Sequence, residues 1–289
     1  MESGMVPVVV FSWKNGSIVK ATTDKFLGEL RAIAQIRMRL LARQKLGWLS
    51  AVTGAGAVLA AWILADVSYL DPLKIFWDFA LGASFVLAST LALLVSTQLL
   101  SDERNRRTLH LVLSAGVSRA GWLAGNALGL WTVLAGMVSL WWVLASIVSK
   151  LAFGGWAPLG SSVAFQAQFA LGLEIMLLVP LGIFLSLFLR PFLALIAGFV
   201  IWLFCHGLQD VERILLDPNL GRFVEGGFTA RALWVAKLLP PLNWFDLRSF
   251  VGYETTLPSL LLPKLAGVAI IWALLLGLAG ASRFSRMDL

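Results

Sequence analysis

The sequence predicts an all-α membrane protein with six transmembrane helices, an N-terminal amphipathic elbow helix and a short cytoplasmic helix between the second and third spans. Three observations predict it. Residues of the AVILMFWYC set make up 59% of the 289 and charged residues only 13%, about half the ~25% charge of an ordinary soluble chain. The apolar residues fall in six runs, each close to the ~20 residues that a spanning helix needs. Lysine and arginine gather in some of the connecting segments and avoid others.

The runs can be taken in order. Residues 46–65 are uncharged and form the first span, and 79–100 form the second. No charge lies between Arg119 and Lys150, which gives a long third span. The fourth, 163–189, is interrupted once, by Glu174. The fifth is 191–209, joined to the fourth by Arg190-Pro191 alone. Proline suits the first turn of a helix, so this connection reads as a tight hairpin. The sixth is 265–282, with a start one turn earlier if Lys264 snorkels outward. Sustained period-two alternation is absent, which argues against a β-barrel. A bilayer leaves backbone groups to be satisfied internally, which makes helices the remaining solution. The mean hydropathy of +0.84 agrees.

Orientation follows from basic residues in short flanks. Lys14, Lys20, Lys25, Arg31, Arg37, Arg39, Arg43 and Lys45 precede the first span. Arg104, Arg106, Arg107 and Arg119 lie between the second and third, Arg190 between the fourth and fifth, and Arg283 and Arg286 in the tail. The loops after the first and third spans hold only Lys74 and Lys150. Both termini and the 101–119 loop are therefore expected in the cytoplasm. No cleavable leader is read in MESGMVPVVVF, so the N-terminus is expected to be retained. The segment 210–264 carries six basic and six acidic residues, and is read as external, with short re-entrant or interfacial helices, one of them near 233–239. Residues 24–45 read as the amphipathic elbow, with Phe26, Leu30, Ile33, Leu40 and Leu41 on one face and Arg37 intruding. The whole chain, 1–289, reads as a single transmembrane domain: a cytoplasmic segment 1–45, a six-helix part 46–282 and a tail 283–289.

Several functions are disfavoured. One cysteine, Cys205, allows no internal disulfide, and with His110 and His206 alone a metal cluster is not expected. The net charge of +7 reads as attraction to an anionic leaflet, with membrane lipid as partner and no nucleic acid. Trp141 and Trp142 read as interfacial anchors. An intramembrane enzyme would need paired polar groups at depth, and Glu174 has no H-E-x-x-H, G-x-S-x-G or second acid beside it.

The segment SDERNRRTLHLVLSAGVSR, Ser101 to Arg119, is the most informative. Acids open it, where the helix macrodipole favours them. Leu109, Val112 and Leu113 form one stripe, and Ser114-Ala115-Gly116 ends it. Such a helix suits docking into a groove of a soluble partner; the alternative is an interfacial helix with no partner. The stretch resembles the pattern E-x-x-x-G-T-L-x-x-L-L-S-x-P-[VI]-S-R of ABC-2-type permeases. Glu103, Thr108, Leu109, Leu113, Ser114, Val117, Ser118 and Arg119 match in order. Arg107 stands for the glycine, Gly116 for the proline, and Gly125-Asn126 for a Gly-Lys pair that follows.

The resemblance implies that this stretch is the coupling helix, with Glu103, Arg107, Thr108, Leu109, Leu113 and Arg119 meeting an ABC ATPase. It also implies two permeases, in a homodimer, with two ATPases. The subgroup most resembled contains permeases of multicopper-enzyme maturation and nitrous-oxide-reductase assembly. The sequence holds no G-x-x-x-x-G-K-[ST], so ATP and magnesium are expected on the separate ATPase, with no cofactor or metal in this chain. The function this implies is the permease subunit of an inner-membrane ABC exporter. The alternatives are a non-transporting subunit that drives periplasmic assembly and a haem-exporter-like permease. Glu174, the one acid within a span, is either a pathway or gating residue or a structural hydrogen-bonding group. Cys205 and His206 are read as a poor ligand pair, and His110 as a contact or surface residue.

Overall fold

A computed structural model describes residues 15–43, 45–68, 71–105, 114, 116–154, 162–216, 239–252, 258 and 260–286. Helix α1 spans Asn15–Arg43, α2 Lys45–Asp66, α3 Pro72–Asn105, α4 Arg119–Phe153, α5 Ser162–Ser186 and α6 Pro191–Leu216. A 3-10 turn at Leu242–Phe245 and a short helix α7, Arg248–Gly252, precede α8, Leu261–Ser285. No strand occurs among the described residues. Among the described residues, five helices are long and apolar enough to cross a bilayer; the apolar part of α6, Pro191–Gly207, is shorter.

Local chemistry sets the helix ends. The second span begins at Pro72, a turn and more before the charge-free window suggests. Asp71 caps it: its side chain accepts from the Lys74 amide at 3.3 Å and its carbonyl from the Ile75 amide at 3.2 Å. Aspartate at the N-cap followed by proline is a strong start signal. Lys74 and Asp78 then fall in the first turns of the helix. Ser118 caps α4, its hydroxyl accepting from the Gly121 amide at 3.1 Å. The α5–α6 connection is the tight hairpin expected, with the Ala194 amide bonded to the Arg190 carbonyl at 2.8 Å. Helix α8 starts at Leu261 and takes in Lys264, as expected from snorkelling.

The core lies between α3, α4 and α5. Ile175, Leu177, Leu178 and Val179 of α5 are buried completely or nearly so, as are Leu93 and Ala92 of α3 and Leu130 of α4. Helices α2, α6 and α8 turn large apolar side chains outward, among them Val52, Ile63, Phe192, Val200, Leu274 and Leu278. In water such a surface would aggregate; in hydrocarbon it is the natural exterior. Trp141 corrects an expectation. It is not an interfacial anchor but a buried wedge between α2 and α4, its indole N–H donating to the Ser50 carbonyl at 3.0 Å. Gly54 makes room for it, since a Cβ there would collide with the indole ring.

Helix α1 begins at Asn15, nine residues before the predicted start. It packs along α4. Gly121, Gly125 and Gly129 lie at every fourth position on the α4 face it meets. A Cβ at Gly125 would come within 2.8 Å of Ile33 Cβ, and one at Gly129 within 2.9 Å of the Ala34 carbonyl oxygen. Small residues at this spacing let helix backbones approach closely. Arg37, which interrupts the apolar stripe in sequence, belongs to the buried face of α1, whereas Leu40 is exposed. From the 210–264 segment the structure describes the end of α6, which runs on to Leu216 past the predicted limit of 209, the 3-10 turn, α7 and the first turn of α8; residues 233–238 lie outside the described residues.

Candidate functional site

Among the described residues, two polar clusters interrupt the apolar bundle. The first joins the ends of the 101–119 loop to α1. Arg37 reaches across from α1: its Nη2 lies 2.9 Å from Glu103 Oε1, and its Nε donates to Asn126 Oδ1 at 2.7 Å. Asn126 in turn donates from Nδ2 to the Trp122 carbonyl at 2.9 Å. Two turns earlier on the same face of α1, Glu29 Oε2 accepts from the Ser118 hydroxyl at 2.9 Å and lies 3.3 Å from the Ser118 amide. Glu103 is where the loop begins and Ser118 is where it ends. Both are held by one helix, at points about 12 Å apart along its axis.

Arg119 adds a fourth element. Its Nη1 donates to the carbonyls of Phe284 and Ser285, each at 2.8 Å, and the guanidinium lies 5.7 Å from the Phe284 ring centre. The last carbonyls of a helix lack intrahelical donors, and a cation there also opposes the dipole. Arg119 therefore caps α8 from the start of α4. Of the residues expected to meet a partner, Glu103 and Arg119 are placed, each with a bond inside the chain. Arg107, Thr108, Leu109 and Leu113 lie outside the described residues.

The second cluster surrounds Glu174, which is fully buried on α5. Its Oε1 accepts from the Trp202 indole N–H at 2.8 Å, lies 3.1 Å from His206 Nε2 and 3.4 Å from the Ser89 hydroxyl. Among the described residues Oε2 has no hydrogen-bond partner. Three helices thus converge on one carboxylate: α3 through Ser89, α5 through Glu174 itself, and α6 through Trp202 and His206. The spacing of Trp202 and His206 is four residues, which stacks them on one face of α6.

Above this cluster sits a cover. Phe85 packs edge-on against His206, ring centres 5.1 Å apart, and lies 5.8 Å from the Trp202 ring. The Arg248 guanidinium of α7 rests over Phe85 at 4.2 Å, a cation–π contact. Arg248 is held in a fork by Asp246, with contacts of 2.7 Å from Nε and 2.6 Å from Nη2. Burial alone would raise the Asp246 carboxyl, but the hydrogen bonds and charge of Arg248 outweigh it and hold it below its ordinary value. The order away from Glu174 is His206 and Trp202, then Phe85, then Arg248 with Asp246.

Sequence reasoning singled out Glu174 but set His206 aside with its neighbour Cys205. The structure separates that pair, with His206 joining Glu174 and Cys205 buried among apolar groups. No trio of His, Cys, Asp or Glu suited to a metal occurs among the described residues. The signal that could have found the pairing is depth. Glu174 and His206 sit at similar levels of antiparallel neighbouring helices, and a buried carboxylate calls for donors at its own level.

The 16–289 portion matches the family model described as ABC-2 family transporter protein. Among curated proteins, none matches the chain. The family match is general and does not reach the multicopper-enzyme-maturation subgroup. With five span-capable helices, all but its first residues matched and the basic, capped junction at the loop ends in place, the chain belongs to the ABC-2 family of transporter proteins, as a multi-pass membrane permease of an ABC system.

Proposed function

We propose that the chain is the permease subunit of an inner-membrane ABC exporter, driven by ATP hydrolysis on a separate ATPase. The observation that carries this is the double clamp of the 101–119 loop on α1, at Glu103 through Arg37 and at Ser118 through Glu29. A loop mounted in this way passes a push to α1, α3 and α4 together, and through Arg119 to α8. That is what a docking loop needs if a soluble motor is to re-pack the spans. Arg107, Thr108, Leu109 and Leu113 form the contact with the ATPase, while Glu103 and Arg119 hold the two ends of the loop in place.

In this reading α6 is the fifth of six spans, the chain is one domain, and both termini are cytoplasmic. Two permeases pair as a homodimer with two ATPases, which hold the ATP and magnesium. Glu174 gates the pathway: its contacts with α3 and α6 lock the outward end shut, and the Phe85–Arg248 cover lies over them. Transport then requires a state in which these contacts part, and ATP acts only by favouring that state.

The test replaces Leu109 and Leu113 together by Asp. Side chains of this size contribute roughly 1.5–3 kcal/mol each when fully buried, and two carboxylates in the groove would cost more. Affinity co-purification should lose the ATPase at unchanged membrane abundance of the permease. Retention of the ATPase by the inserted double variant would place docking elsewhere, on α1 first. Cargo-stimulated ATPase activity without uptake into vesicles would favour the non-transporting, assembly-driving alternative.

A further inference from the structure

Between α1, α4, α5 and α8 the structure holds a cavity of about 380 Å3. It opens sideways on the bundle exterior, where Leu274 and Leu278 of α8 are exposed. Its walls run on α4 from Ala120 to Trp131 and on α8 from Ala281 back to Ile270. Each run rises about 16 Å. Half of a ~30 Å hydrocarbon core is about 15 Å, so the slot is one leaflet deep. It begins at the helix ends that carry the basic tail and stops near the bilayer midplane.

The lining side chains offer nothing to water. Trp131 is the one lining side chain with an N–H or O–H, and its indole N–H is already donated to the Gly172 carbonyl at 2.9 Å. A water needs two to four polar partners. A helix of the same length, 10–12 Å across, would need roughly four times the space. An alkyl chain needs neither partners nor breadth.

The mouth is cationic. Phe184 lines the slot and packs on Phe188 at 5.1 Å between ring centres. The Arg283 guanidinium lies over Phe188 at 5.3 Å. Arg119 sits beside Ala120 of the wall, and Arg190 is exposed at the adjoining hairpin. The nearby acid Glu29 is turned to Ser118. Basic groups at the cytoplasmic end of a gap between spans suit an anionic headgroup.

We propose that this slot is a binding site for one acyl chain of an anionic phospholipid from the leaflet at the chain termini, with the phosphate near Arg283. The lipid joins α1 to α8 across a gap that side chains leave open, next to the clamped loop. The inference rests on the proposed topology, in which that end is cytoplasmic.

The experiment uses the permease–ATPase complex in vesicles containing phosphatidylglycerol or phosphatidylcholine with a photoactivatable tail, followed by peptide mapping. Adducts from phosphatidylglycerol should concentrate on α4 and α8 at the slot. Gly277, where an added Cβ meets open space, provides the block: Gly277→Phe should remove most slot adducts and leave those at Leu59 and Ile63 of α2. Ala273→Phe serves if that variant fails to insert. Arg283→Gln should cut the preference for phosphatidylglycerol by about fivefold, the factor for one basic residue at an anionic surface. Equal labelling of the slot and α2, with either lipid and in either blocked variant, would overturn the site. A Gly277→Cys disulfide between two copies, formed in high yield, would overturn it in favour of a second subunit. Loss of adducts on α2 as well would instead show that the membrane placement fails.

Discussion

Arg37 and Glu103 meet at 2.9 Å between α1 and the C-terminal end of α3, and the same guanidinium holds Asn126 of α4 at 2.7 Å. One side chain thus ties three helices at the point where the 101–119 loop leaves the bundle. Both partners are largely buried, with side-chain exposures of 10% and 18%. Removing Arg37 leaves a carboxylate and an amide oxygen short of a donor in a poorly hydrated place. Arg37→Ala should lower stability by about 2–4 kcal/mol, read as a shift in the detergent melting curve. Arg37→Lys should recover part of this, because one ammonium cannot serve both acceptors in the geometry of a guanidinium. An unchanged melting curve in Arg37→Ala would show that the clamp has no structural weight.

The glycine stripe on α4 gives a second prediction. A Cβ at Gly129 would meet the α1 backbone at Ala34, which cannot yield as a flexible side chain can. Gly129→Ala should therefore destabilise by about 1–3 kcal/mol through overpacking. Gly136, on the same helix, faces open space. Gly136→Ala should be neutral or stabilising by up to about 1 kcal/mol, the ordinary helix-propensity difference. The pair of melting curves separates close approach from propensity. Equal effects at both positions would mean that α1 does not pack on this face.

These two clusters show what the sequence made legible and what it did not. The spans could be read because each is a run of apolar residues whose length is dictated by the bilayer. The α3 start is hidden from a charge-based boundary because Asp71-Pro72 sets it chemically, ahead of Lys74 and Asp78. Arg37 read as an intrusion because periodicity compares residues within one helix. Its partners Glu103 and Asn126 are 66 and 89 positions away, and no local pattern announces them. His206 was passed over for the same reason: its role depends on which helix neighbours α6, and an apolar stripe does not specify its neighbour.

Arg119 yields a third prediction. Its bonds to the Phe284 and Ser285 carbonyls hold the last turn of α8. Arg119→Gln should increase hydrogen exchange in the amides of the last turn before Arg286, while those near Ala269 stay protected. Each charged hydrogen bond contributes about 1.5–3 kcal/mol, enough to turn a protected turn into a fraying one. Unaltered exchange there, with ATPase binding lost, would assign Arg119 to docking alone.

The Asp246–Arg248 pair gives a prediction about pH. The Asp246 carboxyl lies below its ordinary value in the folded chain. Its contribution is therefore fully present above the unfolded carboxylate value of ~3.9 and is lost as pH falls through the lower folded value. Amide exchange in α7, corrected for its intrinsic pH dependence, should give constant protection from pH 8 to pH 5. Protection should weaken only in stronger acid. A loss of protection between pH 7 and pH 5 would indicate control by another group.

Glu174 carries the last prediction, and two substitutions separate its roles. Glu174→Leu removes the acceptor that Trp202, His206 and Ser89 share. Three polar side chains from two other helices are then left without it inside the bundle, and the permease should lose about 2–4 kcal/mol of stability. Glu174→Gln preserves size and leaves an oxygen that can accept from the Trp202 indole and the His206 ring. It should insert, assemble and melt close to the parent. If the carboxylate only joins helices, the Gln variant should also transport and couple ATP hydrolysis normally. If its contacts must part and reform with each cycle, exchanging the carboxyl for an amide alters the balance between the closed and open states. Export should then fall, and the basal ATPase rate should rise because the motor works against a looser gate. His206→Gln should produce the same uncoupling, and the double variant should be no worse than either single one, since both remove one contact. Additive losses from the two changes would show that Glu174 and His206 act separately, and parent-like export in Glu174→Gln would leave only the structural role.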